Sequence, residues 1–164
     1  LIKNDRTLII MMISVISVLS ILLESKKSMK KDIQIPKVED VGIGVILEAD
    51  PETGEDIWNA YLLNFKDKMI QTVLISTKGY GLKDKEEVET STLRHYIDKV
   101  EKKSYAKIEQ IKENLFGLTN EFMLTFYIGR TIYDKKFVFV PETIKENNMI
   151  EVPLIEKKGV LISS

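Results

Sequence analysis

The sequence predicts an all-β domain: a two-sheet antiparallel sandwich, immunoglobulin-like, with one or two short helical turns. Three observations point there. Short apolar runs recur at Val41–Glu48, Ile57–Phe65, Ile70–Thr77, Ser91–Ile97, Tyr105–Ile111, Phe122–Ile128, Thr131–Val140 and Val160–Ser163. Most are rich in valine, isoleucine, threonine and aromatics and are bounded by glycine, proline or charge clusters, which favours strand over helix at these lengths. Within them the apolar positions alternate, so that Phe122, Leu124, Phe126 and Ile128 share one face while Met123, Thr125 and Tyr127 share the other. About seven or eight strands spaced roughly 10–15 residues apart suit a sandwich. A small β-barrel is the alternative arrangement of the same strands.

The N-terminal part stands apart. Residues 1–31 carry six basic and two acidic side chains, whereas the remainder carries 18 and 23. The basic part encloses Leu8–Leu23, a run of 16 uncharged residues, which as a helix covers about 24 Å at ~1.5 Å per residue. A hydrocarbon layer is ~30 Å thick, so the run is slightly short to span. Cleavage as a signal peptide is disfavoured, because Glu24-Ser25-Lys26-Lys27 follows in place of a small-x-small site. As a signal anchor, Leu8–Leu23 would hold the domain on the cytoplasmic side, with Lys26, Lys27, Lys30 and Lys31 crowding its flank. The favoured expectation is a natural start at Met29, leaving 1–28 as an apolar N-terminal segment of upstream translation and 29–164 as a single β-sandwich domain.

The connectors follow from their residues. Both faces of Ile57–Phe65 are largely apolar, as expected of a central strand, and the polar link Asn64–Lys68 is expected to fold it back on Ile70–Thr77. Gly129-Arg130 suits a two-residue II′ hairpin turn, glycine supplying the positive φ at its first central position. Leu82–Glu89 reads as a solvated connector. Lys112–Leu118 is expected to make one helical turn, and Thr143 with Glu146 has the spacing of a capping box. Pro153 limits Ile150–Ile155 to an edge strand, since proline cannot donate to a ladder.

The chemistry is mostly excluded. With 24 basic and 25 acidic residues, one histidine and no cysteine, the chain lacks disulfides, thiolate metal sites and thiol nucleophiles, and offers no broad basic footprint for nucleic acid. No cofactor is expected. The carboxylates of Asp50–Asp56 resemble a calcium loop in composition, but glycine stands fifth and Tyr61 occupies the place of the bidentate glutamate. An acidic turn is the simpler reading. Ser91, His95 and Asp98 fail as a local triad, because strand positions four apart lie about 13 Å from each other. Gly42-Ile43-Gly44 and Gly79-Tyr80-Gly81 lack the third glycine of a dinucleotide loop. The face that remains is Thr92, Arg94 and Tyr96, a candidate contact surface for a protein partner.

The runs Met29-Lys-Lys-Asp-Ile-Gln-Ile-Pro, Trp58-Asn-Ala-Tyr-Leu-Leu-Asn, Ser76-Thr-Lys-Gly-Tyr, Ser91-Thr-Leu-Arg-His, Asn120-Glu-Phe and Pro153-Leu-Ile-Glu-Lys-Lys-Gly-Val-Leu resemble a family of small bacterial proteins of unassigned role, chiefly from Bacteroidota. The resemblance covers Met29 to Ser163. Such proteins often carry the automatic label phenylalanyl-tRNA synthetase alpha subunit, which implies a role near translation. Class II synthetases hold ATP with an arginine followed two residues later by glutamate, whereas Arg94 and Arg130 precede His95-Tyr96 and Thr131-Ile132. Lysine does not replace a planar guanidinium stacked on adenine. The expectation is therefore a non-enzymatic, cytoplasmic interaction module with an unidentified protein partner, free of nucleic acid. A membrane-tethered version of the same domain is the alternative, if Leu8–Leu23 is native.

Overall fold

The computed structural model describes residues 14–17, 36–83 and 85–164. Residues 14–17 are helical, and no helix among the described residues is long and apolar enough to cross a membrane. The expectations for Leu8–Leu23 and for a start at Met29 otherwise lie outside the described residues. All the strands among the described residues belong to the compact unit Pro36–Ser164.

Among the described residues, ten strands form two five-stranded antiparallel sheets. Sheet A runs in the order β6 (Ser104–Ile111), β2 (Asp56–Asn64), β1 (Val41–Ala49), β10 (Lys157–Ser163), β9 (Ile150–Val152). Sheet B holds β3 (Ile70–Lys83), β7 (Thr119–Ile128) and β8 (Thr131–Phe139) side by side, with β4 (Glu86–Glu89) and β5 (Leu93–Val100) sharing the far edge of β3. Both sheets end in open edges, so the arrangement is a sandwich and not a closed barrel. The chain visits the sheets in an order unlike the ABED and CFG division of a constant-type immunoglobulin domain: its first and last strands are antiparallel neighbours in one sheet.

Alternation places the core between the sheets. Ile43, Val45, Trp58, Ala60 and Leu62 face Ile75, Phe122, Leu124, Phe126 and Phe137, and the Trp58 indole meets Phe116 edge-on at 5.4 Å. β2 is interior, flanked by β1 and β6 as its two apolar faces require. Gly129 has φ 59 while Arg130 keeps a negative φ, the combination of a II′ turn. It closes β7 on β8 at the pair Ile128 and Thr131.

Several connections differ from expectation. Asn64–Lys68 is not a hairpin, since β2 lies in sheet A and β3 in sheet B. Its shape is fixed by Asn64, whose buried Nδ2 donates to the carbonyls of Lys68 (2.9 Å) and Glu101 (2.9 Å) and so ties this arch to the β5–β6 turn. Leu82–Glu89 belongs to a hairpin: β3 runs on to Lys83 and pairs with β4. Thr143 caps nothing, because the 3-10 turn Glu146–Asn148 starts after Lys145 with no side-chain cap. The Thr143 carbonyl instead accepts from Asn148 Nδ2 at 2.9 Å. The turn at 113–115 is as expected, and β9 is an edge strand ended by Pro153.

Candidate functional site

The expected contact residues lie on the outer face of sheet B. Thr92 precedes β5, Arg94 stands opposite Ser76 and Tyr96 opposite Leu74, and all three are exposed. Leu74 and Tyr96 expose 50% and 62% of their surface, and Met123, diagonal to Leu74 on β7, exposes 36%. Together they make an apolar stripe across three strands. The Tyr96 hydroxyl donates to Asp98 at 3.3 Å, and partial desolvation together with that carboxylate raises the phenol above its ordinary value. Along the same face opens a groove of about 700 Å³, lined by Lys78, Tyr80, Leu82, Glu89, Glu121 and Lys136. Four of its charges are paired within the face, Lys78 with Glu89 at 3.3 Å and Lys136 with Glu121 at 3.1 Å, while Glu87 lines it as well.

A second cluster sits where the sheets meet. β6 carries a bulge, with Ala60 opposite Glu109 but Tyr61 opposite Lys107. Strict alternation from Lys107 would point Glu109 outward. The extra residue turns it inward instead, as bulges re-aim side chains. There its Oε2 lies 3.2 Å from Nε2 of His95, a residue opposite core Ile75. This half-buried pair pins the edge of sheet B to the edge of sheet A. Asp98 cannot orient His95, because it lies on the opposite face of β5 with Tyr96. A cleft of about 190 Å³ adjoins the pair, walled by Thr77, Leu93, Glu109, Ile111, Asn120 and Phe122.

A third cluster covers the middle of the outer face of sheet A, leaving Tyr105 and Ile150 exposed at its margins. Glu48 Oε1 accepts from Asn59 Nδ2 (2.6 Å) and the Tyr61 hydroxyl (2.5 Å), while its Oε2 pairs with Lys157 at 2.6 Å. Burial pushes the Glu48 carboxyl up, but the hydrogen bonds from Lys157, Tyr61 and Asn59, with the Lys157 charge, outweigh it and leave it below its ordinary value. Burial, the hydrogen bond to Glu48 and its charge drive the Tyr61 phenol well up. Asn59 Oδ1 has no partner among the described residues, a consequence of aiming its NH2 at Glu48. Beside this cluster Ile46, Leu63 and Val152 form a small second core, over which Leu154 and Ile155 fold from the β9–β10 turn.

The acidic turn before β2 is self-contained: Asp50 Oδ1 accepts the amides of Glu52 (2.7 Å) and Thr53 (3.2 Å), an Asx turn. Comparison of the chain with family models, with curated proteins and with solved structures returns no match. The geometry thus carries the functional argument alone. The sequence places Thr92, Arg94 and Tyr96 on one exposed strand face, as they stand, but gives no sign of the inward turn of Glu109, whose direction depends on a bulge. Glu48 and Asn59 also lie outside that reading, although polar residues inside the apolar runs of β1 and β2 are a visible signal.

Proposed function

We propose that the domain is a non-enzymatic protein-interaction module that holds its partner on the outer face of sheet B. The observation that carries this reading is the exposed stripe of Leu74, Tyr96 and Met123 beside the paired charges of the β3–β7 groove. An apolar centre rimmed by charge is the pattern of a partner-binding surface, and tyrosine and methionine are enriched in such centres. Outer faces of antiparallel sheets are ordinarily polar where they meet water. We further propose a cytoplasmic location, because the lysines at 26, 27, 30 and 31 keep the domain inside even if the N-terminal run anchors it.

The test is affinity capture from the native host with the full chain, with the variant Leu74→Ser/Tyr96→Ala, and with Lys107→Ala on the outer side of sheet A. The expected result is a partner retained by the full chain and by Lys107→Ala and lost from the double variant. Retention by all three proteins overturns the reading.

A further inference from the structure

We propose that β8 is a self-complementary edge through which two copies of this chain pair. This goes beyond the partner-binding reading and uses a different surface. Among the described residues, β8 is bonded to β7 on one side only. Its hairpin turn makes Ile128 and Thr131 the closing hydrogen-bonded pair, so Thr131, Tyr133, Lys135, Phe137 and Phe139 direct their backbone groups to β7. The N–H and C=O groups of Ile132, Asp134, Lys136 and Val138 therefore point to the free edge. The same residues carry their side chains on the outer face of sheet B, where Asp134 accepts from the Thr125 hydroxyl and Lys136 pairs with Glu121. Each charge is thereby fixed in place beside the edge.

The order along that edge is apolar, acidic, basic, apolar. Antiparallel pairing about a two-fold axis at Lys135 sets Ile132 opposite Val138 of the second copy and Asp134 opposite Lys136 of the second copy. Both apolar and both charged positions then meet their complements. Only outward-pointing residues can bond across the edge, so the neighbouring registers differ by two residues. They set Asp134 against itself or Lys136 against itself, so charge selects the symmetric register.

One residue opposes the pairing. Lys135 is half-buried and inward-facing, and at the axis it meets its own copy, as edge lysines do when they limit strand addition. Its long stem lets the ammonium reach solvent at the rim. The association is therefore weak, reversible and concentration-dependent.

Sedimentation of the full chain across a concentration series tests this. The expected outcome is a monomer–dimer equilibrium, weakened at least about tenfold by Asp134→Lys and by Lys136→Asp, each of which opposes like charges. The double variant D134K/K136D restores it, and Lys135→Thr tightens it. Melting curves of each variant confirm that the fold is kept. A dimer indifferent to the single reversals, a double variant that stays monomeric while folded, or a Lys135→Thr variant that remains monomeric overturns the proposal.

Discussion

The two outer faces of the sandwich have been treated in opposite ways by the same chain. On sheet A the β9–β10 turn bends back, with Leu154 at φ 70 and Glu156 at φ 56, and lays Leu154 and Ile155 over Ile46 and Leu63. The adjoining carboxylate of Glu48 is enclosed by donors from β2 and β10. On sheet B nothing among the described residues covers Leu74 and Tyr96. The turn covers the middle of one face, whose margins still expose Tyr105 and Ile150, while Leu74 and Tyr96 at the middle of the other stay bare, and that contrast is what supports the proposed contact surface.

The contrast is sharpest between leucines. Leu63 and Leu74 both face outward, yet Leu63 is fully buried under the turn while Leu74 is half exposed. Leu63→Ala is expected to destabilise the domain by roughly 2–5 kcal/mol, close to the ~3–5 kcal/mol of Trp58→Ala on the core side of the same strand. Chemical denaturation checks both. A loss for Leu63→Ala below about 1 kcal/mol, inside the spread of ordinary surface substitutions, would show that the turn does not seal this face.

Glu48→Ala probes the polar half of the seal. It strands the buried NH2 of Asn59 and removes the Lys157 pair, an expected cost of roughly 1–3 kcal/mol, mostly for the unsatisfied amide. The Lys157 ammonium is half exposed, so its lost ion pair adds little. An unchanged midpoint in denaturant would mean that water already serves Asn59.

These residues also show what was legible in the sequence and what was not. Alternation in Phe122–Ile128, the turn at Gly129-Arg130 and the break at Pro153 are local, and each produces its element wherever the strand goes. The link Asn64–Lys68 is polar in a hairpin and in an arch alike. What decides between them is the reach of Asn64 to the Glu101 carbonyl, 37 positions away. Glu109 faces inward against its alternation because a bulge, which breaks the period of two, leaves no mark in composition. Thr143 has the spacing of a cap but only a three-residue turn to cap. The bare face was partly legible, since Thr92, Arg94 and Tyr96 alternate out of the core, whereas Leu74 and Met123 resemble core by residue type.

The pH dependence of stability follows the closed face. The Glu48 carboxyl is lowered in the fold, so its contribution is present above the unfolded value of ~4.3 and is lost as pH falls through the folded one. The Tyr61 phenol is raised, so its contribution is present below ~10 and is lost as pH climbs above that. Melting temperatures measured from about pH 2 to about pH 11 are expected to fall at both ends. Glu48→Gln is expected to flatten the acid limb and to reduce the alkaline one, because it removes the acid-limb group and the charge of Glu48 beside Tyr61, whereas burial, the largest cause of the raised phenol, remains. A variant with the same limbs as the parent would place the pH dependence elsewhere.

The smallest expected effect lies on the bare face, and there smallness is the point. Leu74→Ser/Tyr96→Ala removes side chains that are at least half in water in the free protein, so little burial is lost, and surface substitutions of this kind usually stay within about ±0.5 kcal/mol. The Tyr96 hydroxyl bond to Asp98 is exposed and adds little. Stability therefore should barely move while partner capture is lost, the reverse of Leu63→Ala, which should lower stability and leave the face of sheet B chemically intact. Calorimetry on the double variant decides the matter. A melting temperature depressed as far as that of Leu63→Ala would mean that Leu74 and Tyr96 are covered in the free protein, and the asymmetry between the two faces would disappear.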